Sequence, residues 1–181
     1  MKIALVGLGY WGSKLLRNLV NIVGPDNVVA VDAHIDRCAS ASQQYPGMSV
    51  RATLGASLDD ANGGAVMIAT PVETHYALAR AALEAGRHVF VEKPLTASVS
   101  HAEDLVEIAR LNDLVLMVGH TFLFSPRVRW MADYLQQGNM GSIHYLTSSR
   151  LNLGLHRSDA NVVWDLAPHD FSIIFYLLQE Y

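Results

Sequence analysis

Three short stretches of this chain carry residue types that could do chemistry together: Gly7-Leu8-Gly9-Tyr10-Trp11-Gly12, Glu92-Lys93-Pro94, and Asp165 with His169 four residues on. The first is a cradle for a dinucleotide. Gly7 allows a tight turn after an apolar run, and Gly9 lets backbone approach a pyrophosphate. Gly12 lets the following helix pack close, and free N–H groups at its start meet phosphate charge. Tyr10 and Trp11 lie inside this cradle. About twenty residues beyond Gly12, Asp32 ends a second apolar run, where a carboxylate would take the adenosine ribose hydroxyls. Its charge disfavours a 2′-phosphate, and Ala33 and His34 follow it rather than an arginine. The expected cofactor is therefore NAD.

Oxidation of a secondary alcohol needs a base, a positive group beside the developing alkoxide, and a hydride acceptor. Lys93, at the end of a central strand, can supply the positive group, and His169 is the natural base with Asp165 as its partner. These two share a face if their turn is helical, although Pro168 makes that turn tight. Blander readings exist for each: a surface lysine, a helix-start hydrogen bond with Asp165 as the cap, a solvated helix-start His75. Metal binding is not expected, since there is no closely spaced cysteine pair and no His-Glu-x-x-His unit.

The elements that must position these residues alternate. Ile3–Val6 reads as a buried strand, and Leu15, Leu16, Leu19 and Val20 form one helix face. Strands are expected at 28–31, 48–54 (short), 64–70, 88–91 and 114–118. Helices are expected at 35–45, 57–60 (capped by Ser57), 74–85, 98–112 and 126–137. This predicts an α/β fold with a six-stranded, doubly wound parallel sheet and right-handed crossovers. Ligands of such sheets lie beyond the carboxyl ends of the strands, here after residues 6, 31, 69, 91 and 118. Thr70, Pro71, His75, Glu92 and Lys93 fall at those ends. From Gly141 the pattern changes to one more strand, 143–150, a polar loop, and an apolar helix, 171–178. The expected division is an NAD-binding domain over 1–120 and part of an α+β domain over 121–181.

Composition narrows the function classes. The chain has 181 residues, 51% hydrophobic and 17% charged, with a net charge of −4. That suits a globular protein and argues against a nucleic-acid surface. The apolar opening is too short for a signal peptide, and no segment approaches a membrane span. The lone Cys38 allows no internal disulfide, which suits a cytoplasmic location.

The motifs carry a family resemblance. GLGYWG at 7–12, ATPVETHYALARAALEAGRHVFVEKPL at 69–95 and the Asp165-x-x-x-His169 unit resemble the N-terminal portion of the Gfo/Idh/MocA family. This is the family of glucose–fructose oxidoreductase, inositol dehydrogenase and MocA-like NAD(P)-dependent enzymes. RLNLGL at 150–155 and NVVWDLAPHD at 161–170 resemble members that act on nucleotide-activated sugars. The resemblance implies a Rossmann domain followed by a domain with a large, mostly antiparallel sheet. It implies the trio Lys93, Asp165 and His169, a His75 near the nicotinamide, and a Lys93–Pro94 bond that is often cis. Family enzymes are nearly twice as long, so the chain is expected to be truncated before most of that sheet, with its tail poorly held.

One departure is Leu123, where many members carry an arginine before the phenylalanine. His120, Arg150, Asn152 and Asn161 are the candidate substrate contacts, as polar groups in the right loops. The function expected is hydride transfer between NAD(H) and a sugar or nucleotide-sugar, in a possible homo-oligomer. Two other readings are a non-catalytic NAD-binding sensor and another Rossmann class such as a dihydrodipicolinate or biliverdin reductase relative.

Overall fold

A computed structural model describes residues 2–58, 63–150 and 162–178. They form two compact units, 1–118 and 119–181. The first contains strands β1 (Lys2–Val6), β2 (Val28–Val31), β3 (Ser49–Arg51), β4 (Gly63–Ile68), β5 (His88–Val91) and β6 (Leu116–Val118). It also contains helices α1 (Tyr10–Val23), α2 (Ile35–Gln44), α3 (Gly55–Leu58), α4 (Val72–Glu84) and α5 (Val99–Leu111). All strand pairs are parallel, in the order β3-β2-β1-β4-β5-β6. The doubly wound α/β fold expected from the alternation is the fold observed.

Strand alternation explains why both faces are covered. Leu5, Val28 and Ala30 point to one face and pack with Leu16 and Leu19 of α1 and Cys38 and Ala41 of α2. Ala4, Val6, Val29, Val31, Val66, Ile68, Val89 and Val91 pack on the other face with Ala79, Ala82 and Leu83 of α4 and Leu105 of α5. Near-continuous apolar strands belong to a sheet buried on both sides. Chain order reverses between β1 and β4, so the crevice at their carboxyl ends is the ligand position of such a sheet.

Several boundaries differ from expectation. Ser57 lies inside α3 and caps nothing: its hydroxyl donates back to the Leu54 carbonyl at 2.7 Å, whereas a cap must accept. Helix α4 begins at Val72, directly after Pro71, whose carbonyl takes the Thr74 N–H at 3.0 Å. The third and sixth strands keep only the residues that find a ladder partner.

The second unit contains a 3-10 turn (Thr121–Phe124), α6 (Pro126–Gln136) and α7 (Val162–Leu178), and α7 packs against both of the others. The expected strand at 143–150 is not one. No strand pairs with it among the described residues, so there is no ladder to define it. Helix α7 starts nine residues earlier than expected and contains Pro168. Pro168 gives no N–H to the Trp164 carbonyl, and the local signals of Val162, Val163 and Pro168 argue against helix. Packing against α6 overrides them. Among the described residues no helix is long and apolar enough to cross a membrane.

Candidate functional site

The cradle forms where β1 ends and α1 begins. Gly7 has φ +93°, and a Cβ on it would lie 2.6 Å from the Ala69 carbonyl oxygen. A Cβ on Gly12 would lie 1.7 Å from the Gly7 oxygen, so this position admits no side chain without movement. Gly9 is the opposite case. A Cβ there would meet nothing within 4 Å, so the missing side chain leaves open space above the helix start. Gly9 is the N-cap of α1, and the first turn holds no acidic residue to compete for its N–H groups. Space, amide donors and the sign of the charge all fit a pyrophosphate. Tyr10 and Trp11 are 68% and 52% exposed, and the Lys14 ammonium sits 3.7 Å and 4.6 Å from their ring centroids.

Asp32 ties the cradle to β2. One carboxylate oxygen accepts the Leu8 N–H at 2.7 Å and the other accepts the His34 N–H at 2.8 Å. Burial pushes this carboxyl up, but the His34 and Leu8 amides and Arg37 outweigh it and hold it below the ordinary aspartate value. Asp32 is therefore ionised at neutral pH. At 3.3 Å, Arg37 reaches the oxygen that takes the Leu8 N–H, which reading only the two residues after Asp32 missed. Its signal is helical spacing: α2 starts at Ile35, so Arg37 falls in the first turn.

Beyond β4 and β5 lie the next two loops. Thr70 and Pro71 follow β4, and the Thr70 hydroxyl shares a 2.7 Å hydrogen bond with that of Thr74. Glu92 follows β5, its N–H donating to the Ile68 carbonyl at 2.9 Å. Burial raises its carboxyl, against the lowering effect of the Lys93 N–H and charge. The Lys93–Pro94 bond is cis. His75 is not a solvated helix-start residue: it is 1% exposed. Its Nδ1 is 2.9 Å from the Pro94 carbonyl oxygen and its Nε2 2.9 Å from that of Thr70. Both ring nitrogens thus face backbone carbonyls, and a neutral ring, with its single N–H, donates to one of them while its other nitrogen abuts the second.

In the second unit, Asp165 and His169 lie one turn apart on α7. Asp165 is inside the helix, so it is not the N-cap. The His169 ring meets the Phe122 ring edge-on at 4.9 Å between centroids. The Arg150 guanidinium lies 4.9 Å from the same Phe122 ring and donates through Nε to Asp170 at 2.7 Å. Asp170 also accepts the Ser148 hydroxyl at 2.7 Å. Burial pushes the Asp170 carboxyl up, but Arg150, Ser148 and the nearby His169 more than offset it. Arg150 is thus partly neutralised, which the reading of it as a substrate contact did not foresee. Burial lowers the His120 pKa, and its Nδ1 is buried with no hydrogen-bond partner among the described residues. Asn152 and Asn161 lie outside the described residues.

Residues 1–120 match the family described as "Oxidoreductase family, NAD-binding Rossmann fold". The UDP-N-acetylglucosamine 3-dehydrogenase of Acidithiobacillus ferrooxidans is 38% identical over 114 residues, covering 62% of this chain and 35% of its own. The inositol 2-dehydrogenase 2 of Saccharopolyspora erythraea is 31% identical over 184 residues, covering 99% of this chain and 54% of its own. Among solved structures, GenD2 from gentamicin A biosynthesis in complex with NAD superposes with a TM-score of 0.83 at 25% identity. That match covers 98% of this chain and 53% of GenD2. The chain spans about half the length of these relatives, or less.

Proposed function

The chain belongs to the oxidoreductase family with an NAD-binding Rossmann fold, and from that premise we propose that it serves hydride transfer between NAD(H) and a secondary alcohol or ketone of a sugar or nucleotide-sugar. The observation that carries this reading is the pairing of open space at Gly9 with an ionised Asp32. Gly7, Gly9 and Gly12 with the α1 amides hold the pyrophosphate, and Asp32 takes the ribose hydroxyls. Tyr10, Trp11, Thr70, Pro71 and Glu92 line the same edge of the sheet. Bound NAD supplies the hydride acceptor.

The chain's own residues handle the proton and the charge. His169 takes the hydroxyl proton, and Asp165, one turn before it, supports the imidazolium that forms. The Lys93 ammonium steadies the developing alkoxide. His120 and Arg150 contact the sugar, Arg150 through the guanidinium N–H groups that Asp170 does not use. A sensor would have no need of a proton acceptor, so the Lys93, Asp165 and His169 set favours turnover.

The test is NADH formation from NAD with UDP-N-acetylglucosamine and with inositol, in the longest natural form of the protein. Lys93→Ala or His169→Ala should lower turnover about a hundredfold or more, as loss of a positioned acid–base group does. His169→Ala should leave NADH binding little changed. Near-native turnover in His169→Ala would refute its assignment as the base.

A further inference from the structure

His75 stands in the first turns of α4, fully buried, yet its two ring nitrogens face two different loops. The Thr70 carbonyl belongs to the loop after β4 and the Pro94 carbonyl to the loop after β5. These strands are neighbours in the sheet, paired from Ala65–His88 to Ile68–Val91. Past Ile68 and Val91 the ladder continues for one bond, from the Glu92 N–H to the Ile68 carbonyl. Thr70 and Pro94 therefore lie beyond the ladder, and the His75 ring spans them with two contacts of 2.9 Å.

We propose that His75 is a positioning residue that clasps these two loops and thereby fixes the backbone on which Lys93 is carried. Pro94 follows Lys93 directly, so holding the Pro94 carbonyl limits where the preceding residue can stand. This inference rests on the reading of Lys93 as the catalytic cation. The ring suits the task because its two nitrogens diverge from a rigid plane and reach opposite carbonyls without further rotation. A leucine fills similar space but donates nothing, so the carbonyl that the ring's N–H serves must find another donor and the ring no longer bridges the two loops. The loops then shift, and a displacement of about 1 Å at a catalytic group is enough to cost on the order of a hundredfold in rate.

A double-mutant cycle in the longest natural form tests it, with NAD and a sugar substrate that supports turnover. His75→Leu should lower kcat about tenfold or more while the sugar KM stays within roughly threefold. His75→Gln, which keeps an N–H donor but on a flexible chain that cannot span both loops, should fall between wild type and His75→Leu. On a Lys93→Ala background, His75→Leu should cost almost nothing further, because the group it positions is already gone. Circular dichroism and NADH binding check that each variant is folded, and if His75→Leu is not, His75→Gln carries the cycle. Losses that multiply would overturn the clasp while leaving the Lys93 assignment intact. Near-native turnover in Lys93→Ala would overturn that assignment, and the clasp with it.

Discussion

At the scale of single residues, Asp32 is the group through which cofactor choice and acid stability can be tested. Its carboxylate is ionised by the Leu8 and His34 amides and by Arg37, despite burial that opposes charge. A 2′-phosphate would meet that charge, so NADH should bind more tightly than NADPH in calorimetry, and Asp32→Ala should narrow the gap. Tighter binding of NADPH to the unaltered chain would contradict this. Arg37 is half exposed and pairs with Asp32, so it bears on how wide the gap can be. The sign of the pH effect follows from the lowered pKa. Ionised Asp32 contributes stability above the ordinary aspartate value of 3.8, and that contribution is lost as pH falls through the lower folded value. Asp32→Asn should therefore flatten the acid limb of a stability-against-pH curve measured by urea unfolding. An unchanged limb would show that other carboxylates dominate it.

At the scale of elements, the glycine loop separates folding from binding. Gly7 and Gly12 are needed by the fold, because a Cβ at either meets backbone at 2.6 Å or 1.7 Å. Gly7 also takes a positive φ, a conformation that costs a non-glycine residue on the order of 1–3 kcal/mol. A Cβ on Gly9 meets nothing within 4 Å, so no packing contact of the fold calls for glycine there. Gly9→Ala should leave thermal unfolding within about 0.5 kcal/mol of wild type, yet weaken NADH binding by roughly tenfold or more. Gly7→Ala and Gly12→Ala should lower stability first. Equal NADH affinity in Gly9→Ala would remove the pyrophosphate from this loop. The loop was legible in the sequence because glycine spacing reports backbone geometry directly. The clasp by His75 was not, since a histidine at a helix start reads the same whether solvated or buried. Helix α7 was also misjudged at its start, because Val162, Val163 and Pro168 give local signals that packing on α6 overrides.

For the whole molecule, the first unit was legible nearly throughout. Apart from β3 (Ser49–Arg51), its strands are short, mostly apolar runs, and parallel sheets buried on both faces demand that pattern. The second unit was less so. A strand exists only through its partner, and the branched, alternating stretch at 143–150 has none among the described residues. Arg150 shows the same limit at the site, since its pairing with Asp170 joins residues twenty positions apart in sequence. Of the residues in the proposed function, the cofactor cradle and Lys93 belong to the first unit and Asp165 and His169 to the second. The proposed hydride transfer can be followed atom by atom. A sugar alcohol deuterated at its carbinol carbon is incubated with NAD and the longest natural form, and the nicotinamide of the product is read by NMR. Deuterium at the nicotinamide C4 position, lost when His169 is replaced by alanine, is the expected result. Binding of NAD with no deuterium transfer from any sugar or nucleotide-sugar would contradict the proposed chemistry and leave the sensor in its place.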